Sequence, residues 1–452
     1  MGREVARRIG DGVASVQGRP RAGVLTSAAT VAAAAALVLS ACGGGGSDED
    51  AASEPDDADG QESEDQGGSD EAAESSAEQS EEDDQSAHDD EGEDESDGPE
   101  GPASAETRMS HAETVTGDIS PKSVVASGDG TVIANNMMYR HTVTLYDAES
   151  RELTQTLDDT VDAGDFDVED VSGEITGAPV EAVWTSDGQY AYVSQYQLTG
   201  VGAPAEDDCA SGEAIAESVV YRYSVEEEDW DQVIEVGRVP KYVALSPDDS
   251  TLLVSNWCDR SLSVVDTETA RETEQIPLNS MPRGIVVLPD QTTAYVTAMY
   301  ADEVYRVDLD SGESEVAFTT GERPRHLVLD ESGEAMYLTV AGADRLLKID
   351  PASGEVVDEV TTGQEPRSMA ISADGTALYV VNYDEDTVSK FDAETMEEIQ
   401  RETTGGMPVG VTYEPTTETV WVADYAGSLT VFDDTGEGED EAEEEAADED
   451  ED

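Results

Sequence analysis

Five cations in this sequence stand in the same place relative to a recurring proline. Lys122, Lys241, Arg283, Arg325 and Arg367 directly follow Pro121, Pro240, Pro282, Pro324 and Pro366. Ammonium and guanidinium groups gathered by a repeat would bind a carboxylate or another small anion, because charge-assisted hydrogen bonds to such groups are short and strong. His326 adjoins Arg325, so an acid–base group would join the same cluster. Internal pairing is the competing expectation. Asp259, Asp302, Asp344, Asp384 and Asp386 come from loops of the same repeats and would neutralise the ring. Of the two, internal pairing is the expected outcome.

Other chemistry is sparse. The four histidines, His88, His111, His141 and His326, are scattered. There is no Cys-x-x-Cys-His haem attachment site, no His/Cys zinc cluster, no Gly-x-Ser-x-Gly elbow and no phosphate loop. Asp162, Asp165, Asp167, Glu169 and Asp170 supply oxygens of the kind calcium takes, but no glycine falls where a calcium loop turns. A solvated acidic loop is expected there, and neither a metal nor a cofactor. Cys209 and Cys258 lie in adjacent loops; in an exported protein they would form a disulfide, the alternative being two buried thiols. Asn256, Trp257, Asn382 and Tyr383, with Asp424 and Tyr425, form a neighbouring loop column. Its aromatic members would be either a contact surface or filler between repeats.

The elements that carry these residues follow from a fixed period. Pro240, Pro282, Pro324, Pro366 and Pro408 are each 42 residues apart. Within one unit, Ser368–Ser372 alternates, 373–376 is a tight turn, and Ala377–Asn382 is β-rich. Thr387–Asp392 gives a third strand and Glu397–Thr403 an exposed fourth. No helical periodicity separates the strands. Four short antiparallel strands at this period make one propeller blade. Counting outward to Pro179 and Pro121 gives seven units. The expected fold is therefore all-β, a seven-bladed β-propeller with four-stranded antiparallel blades. The seventh unit stops after three strands. Glu113–Gly117 reads like 401–405, so residues 110–117 are expected to supply the missing strand and remove an exposed edge. The first two units are long, with excess at about 158–176 and 198–216. Both excesses would fall on one face, where long loops concentrate function.

The repeated words Leu252–Asn256 and Leu378–Asn382, with Tyr192–Ser194 and Tyr295–Thr297, resemble the YVTN-repeat (YncE-like) propeller family. The resemblance covers about 115–433 and implies a mostly extracytoplasmic group, many of whose members have no known activity. Similar seven-bladed propellers include lactonases and quinone-dependent dehydrogenases. A lactonase would use Arg325 and His326 with an acid; a quinoprotein would need a tryptophan wall, against the four tryptophans present.

Charge and targeting complete the reading. The 452 residues carry a net charge of −83, and residues 106–434 alone hold 66 acidic against 18 basic side chains. Such self-repulsion points to a saline, halophilic setting or to a compositional habit of the lineage, and it disfavours nucleic acid as a partner. Residues 1–41 read as a signal peptide: Arg3, Arg7, Arg8, Arg19 and Arg21 precede an apolar run that ends at Leu39–Cys42. That ending resembles a bacterial lipobox and implies lipidation of Cys42. Residues 42–105 read as a disordered acidic tether, 106–434 as the propeller and 435–452 as a disordered acidic tail. The expected function is a lipid-anchored, extracytoplasmic, monomeric and non-catalytic module. It would bind a protein, a peptide or a small anionic ligand on the long-loop face, with a propeller enzyme as the alternative.

Overall fold

The computed structural model describes residues 102–166, 168, 173–200, 209 and 215–436. The signal segment, Cys42, nearly all of the tether, the acidic tail from 437, and Asp167, Glu169 and Asp170 lie outside the described residues.

The strands form seven four-stranded antiparallel sheets, and no α-helix occurs among the described residues. In blades two to seven the innermost strand begins at the marker proline, as in Pro282–Val287, Pro324–Leu329 and Pro366–Ile371, and in blade one it begins two residues later, at Ser123. The second strand is buried on both faces. Ala377–Asn382 and Thr419–Asp424 have no exposed residue, which explains their near-continuous apolar reading. The fourth strand alternates exposed and half-buried positions on the rim. The core consists of layers between neighbouring blades. Tyr379 and Val381 of blade six pack with Val411, Val420 and Val422 of blade seven.

A register shift follows the proline in blades three to seven, for example between Pro240 and Tyr242 and between Pro366 and Ser368. Proline has no N–H to give to the ladder, so the pairing is irregular where it enters the strand. The residue before the proline adopts left-handed backbone at Val239, Arg323, Glu365 and Met407, with φ of 59°, 61°, 53° and 57°. Three of these residues donate their amide to an aspartate of the preceding blade. Asp302 accepts from Arg323 at 2.9 Å, Asp344 from Glu365 at 2.8 Å and Asp386 from Met407 at 2.6 Å.

Arg108–Thr116 pairs antiparallel with Ser428–Gly436 and is the fourth strand of blade seven, so both ends of the chain share one sheet. Described contacts continue to either side of 106–434. The Ser104 amide donates to Asp374 at 2.7 Å and the Ala105 amide to the Thr376 hydroxyl at 3.0 Å. The last strand runs on to Gly436.

The two insertions meet. Thr160–Asp162, Glu174–Thr176 and Thr199–Gly200 form an extra three-stranded sheet. Cys209 is joined to Cys258 of blade three, with Cα atoms 5.3 Å apart. Asp162 caps a 3₁₀ turn at Ala163–Asp165 by accepting from the Gly164 amide.

Candidate functional site

The innermost strands line a central channel. Their sequence offsets from the marker proline sort its wall into layers.

The first layer is cationic. Lys122, Arg283, Arg325 and Arg367 lie close enough that each feels the charge of others. Burial first, and then Arg283, pushes the Lys122 ammonium down to about 7, against the pull of Glu181. Burial lowers Arg283, opposed by Glu181. Burial, then Arg283 and Arg367, lowers Arg325 much further. A guanidinium keeps its proton throughout the working pH range, so this stress persists as positive potential at the channel mouth. Arg325 is 7% exposed, yet no carboxylate lies within ion-pair distance of Lys122, Arg283 or Arg325 among the described residues.

The expectation of internal pairing therefore fails for these three. Asp302, Asp344 and Asp386 are committed to backbone amides of the next blade, and Asp259 to the amide and guanidinium of Arg238. Arg367 does pair, with Glu365, and its guanidinium lies 3.2 Å above the Tyr383 ring. Lys241 turns to aromatic faces, 3.6 Å from the Tyr196 ring centroid and 5.2 Å from that of Trp257.

Above the cations is an aromatic rim. Trp257 meets Tyr300 edge-on at 5.6 Å, and Tyr300 is 63% exposed. The Tyr383 hydroxyl donates to Met407 Sδ at 3.4 Å. Asn256 and Asn382, expected at the mouth, do not face it. Both are fully buried. The Asn256 amide donates to the Ser261 and Ser263 hydroxyls, and the Asn382 amide to those of Thr387 and Ser389. They hold their own hairpins together, which is why Asn recurs there.

The second layer is two residues past each proline: Ser123, Glu181, Tyr242, Gly284, His326, Ser368 and Gly410. His326 faces the channel. Its Nε2 lies 2.9 Å from the Tyr242 hydroxyl and its Nδ1 2.9 Å from the Ser368 hydroxyl. The Met369 amide also donates to Nδ1, at 3.4 Å, so Nδ1 is the acceptor and Nε2 carries the hydrogen that Tyr242 receives. Gly284 makes this bridge between blades three and five possible. A Cβ there would sit 2.7 Å from the Arg325 carbonyl oxygen and 3.1 Å from His326 Cα. Burial, then Arg283, pushes His326 down to about 3, so the ring is neutral at physiological pH. Burial raises the Glu181 carboxyl, with Lys122 opposing.

The third layer, four residues past each proline, is Val125, Val183, Ala244, Val286, Val328, Ala370 and Thr412. Six of the seven are apolar. The second and third layers enclose a cavity of about 400 Å³.

Of the residues singled out by sequence, the structure brings Lys122, Arg283, Arg325, His326 and Arg367 together, with Lys241, Trp257 and Tyr383 near the rim. Sequence reasoning missed Glu181, Tyr242, Ser123 and Ser368. Their signal was positional, two residues after each marker proline. His, Arg and an acid do converge, as a lactonase would require. However, both ring nitrogens of His326 are engaged and its basicity is low, so it is a poor general base.

A family model described as "Cytochrome D1 heme domain" matches residues 290–431, under a third of the chain. Among solved structures, a Kuenenia stuttgartiensis hydrazine synthase is similar at 19% identity with a TM-score of 0.55, covering 70% of this chain and 96% of that one. At that identity the likeness is one of fold. No curated protein matches the sequence.

Proposed function

We propose that this chain is a non-catalytic binding propeller that takes a small anion at the mouth of its central channel. One observation carries the reading. Among the described residues Lys122, Arg283 and Arg325 converge with no carboxylate in ion-pair contact, only the more distant pull of Glu181 and Glu365, inside a body whose acids greatly outnumber its cations. Gathering like charges in a half-buried cluster is costly, and an anion would relieve the cost. The aromatic rim would hold the organic part of such a ligand. The YVTN-like words, the lipobox-like Leu39–Cys42 and the acidic tether support an extracytoplasmic, lipid-anchored, YncE-like setting for this activity.

The test is calorimetric titration of the full chain with acetate, citrate and inorganic phosphate at constant ionic strength. One-site binding that weakens at least tenfold in Arg283→Gln/Arg325→Gln is expected. No saturable heat with any anion would overturn the reading.

The match to a haem domain favours a second reading, in which the channel mouth carries a haem. The cations suit the carboxylates of such a group. The iron is not provided for. His326 is engaged at both nitrogens, His141 Nδ1 faces the Gly177 carbonyl oxygen, and His111 lies on the N-terminal strand beside Phe432. Among the described residues no histidine presents a free ring to the mouth, and we derive no chemistry through haem. Adding haemin to the full chain and recording the Soret band decides the matter: a shifted band lost in Arg325→Gln supports it, and an unchanged free-haemin band sinks it.

A further inference from the structure

The channel offers three kinds of wall in sequence, and the next step, which rests on the anion-binding reading, names the ligand class. Lys122, Arg283 and Arg325 form the outer layer. The Tyr242 hydroxyl and the half-buried carboxyl of Glu181 stand one residue deeper. Val125, Val183, Ala244, Val286 and Val328 stand two residues deeper again. Strand residues rise by about 3.3 Å each, so the polar and apolar layers are roughly 6–7 Å apart. That is the scale of one small organic molecule; the cavity of about 400 Å³ is lined by the two deeper layers, with the cations one residue outside it along each strand.

Tyr242 gives the middle layer a direction. Its oxygen accepts from His326 Nε2, so its own O–H is left to donate elsewhere. No described acceptor takes that proton. A half-buried hydroxyl that lines the cavity and has no protein acceptor is a donor for water or for the oxygen of a ligand that displaces it.

We propose that the channel binds a small carboxylic acid with a hydroxyl or keto oxygen on C2 and an apolar side chain. The carboxylate meets the cations, the C2 oxygen accepts from Tyr242, and the side chain displaces water from the valine layer. Phosphate would satisfy the first layer alone, and citrate, whose hydroxyl is alpha to its central carboxylate, the first and second. An unbranched plain acid would satisfy the first and third.

A matched series tests each layer in the full chain. Lactate, 2-hydroxybutyrate and 2-hydroxyhexanoate are compared with propionate, butyrate and hexanoate by calorimetry, with pyruvate as the keto counterpart. Affinity is expected to rise roughly fourfold per added methylene. The C2 oxygen is expected to add roughly two- to tenfold over the plain acid. Tyr242→Phe should erase the second increment and keep the first, whereas Val286→Asn should erase the first and keep the second. Melting curves of both variants establish that they are folded. Anions that bind with no dependence on chain length or C2 oxygen overturn this inference and leave the anion site standing. Absence of any anion binding overturns both.

Discussion

Lys390 Nζ lies 2.6 Å from Asp434 Oδ1, and neither side chain is exposed to solvent. The same ammonium donates to the Thr107 carbonyl oxygen at 3.0 Å and to its hydroxyl at 2.9 Å. The Tyr379 hydroxyl donates to Asp434. Thr107 immediately precedes the N-terminal strand, so one buried pair ties blade six, the end of blade seven and the closing strand together. Asp434→Ala would strand a buried ammonium and is expected to cost roughly 3–5 kcal/mol in denaturant unfolding. Deleting residues 106–117 should lower Tm sharply as well, because it bares the edge of Ser428–Gly436. An unchanged Tm in both variants would show that the ring is not held shut here.

Anion affinity should fall as pH rises through about 7. The ammonium of Lys122, pushed down to about 7 by burial and Arg283, attracts an anion only while protonated. Affinity is therefore full below about pH 6 and reduced by pH 8.5. His326, pushed down to about 3, contributes nothing to the curve. Calorimetry at pH 5.5, 7 and 8.5 measures it. Lys122→Met should bind more weakly and lose the pH dependence. Affinity that rises with pH would contradict the assignment.

Asp159 gives stability a slope of its own. It is buried, and burial followed by the charge of Asp158 raises its carboxyl from 3.8 to about 8. Between those values the unfolded chain has released a proton that the folded chain keeps. Its contribution to stability is thus lost as pH rises from about 4 to about 8. Asp159→Asn should be more stable than the parent at pH 8 and show little gain at pH 4, as measured by urea melts. The turn aspartates Asp147, Asp266 and Asp308 act oppositely. Their hydroxyl and amide donors hold them below the usual range, so their contribution disappears as pH falls below about 4.

The net charge of −83 sets the salt dependence. Repulsion among surface carboxylates is screened within about 10 Å at 0.1 M salt and 3 Å at 1 M. Tm should climb between low and molar sodium chloride. A flat profile would mean that the acidity does not strain the fold.

The period of 42 made the blades legible, and the likeness of 113–117 to 401–405 exposed the closing strand, because both are repetitions. The cation column was legible for the same reason. The layer beneath it was hidden by spreading five residue types over seven blades: Glu181, Tyr242 and His326 stand at the same position as two serines and two glycines. The aspartates misled because charge suggests a charged partner. Asp302, Asp344 and Asp386 instead follow the backbone, accepting amides exposed by left-handed residues before proline. Asn256 and Asn382 misled because recurrence in a loop reads as a surface, whereas both are fully buried.

The most direct measurement is a one-site titration of acetate, citrate and inorganic phosphate into the full chain and into Arg283→Gln/Arg325→Gln, at matched ionic strength. Saturable binding in the parent, weakened at least tenfold in the variant, is the predicted result. Equal affinity in the two proteins, or no binding of any of these anions, would contradict an anion site built on these cations.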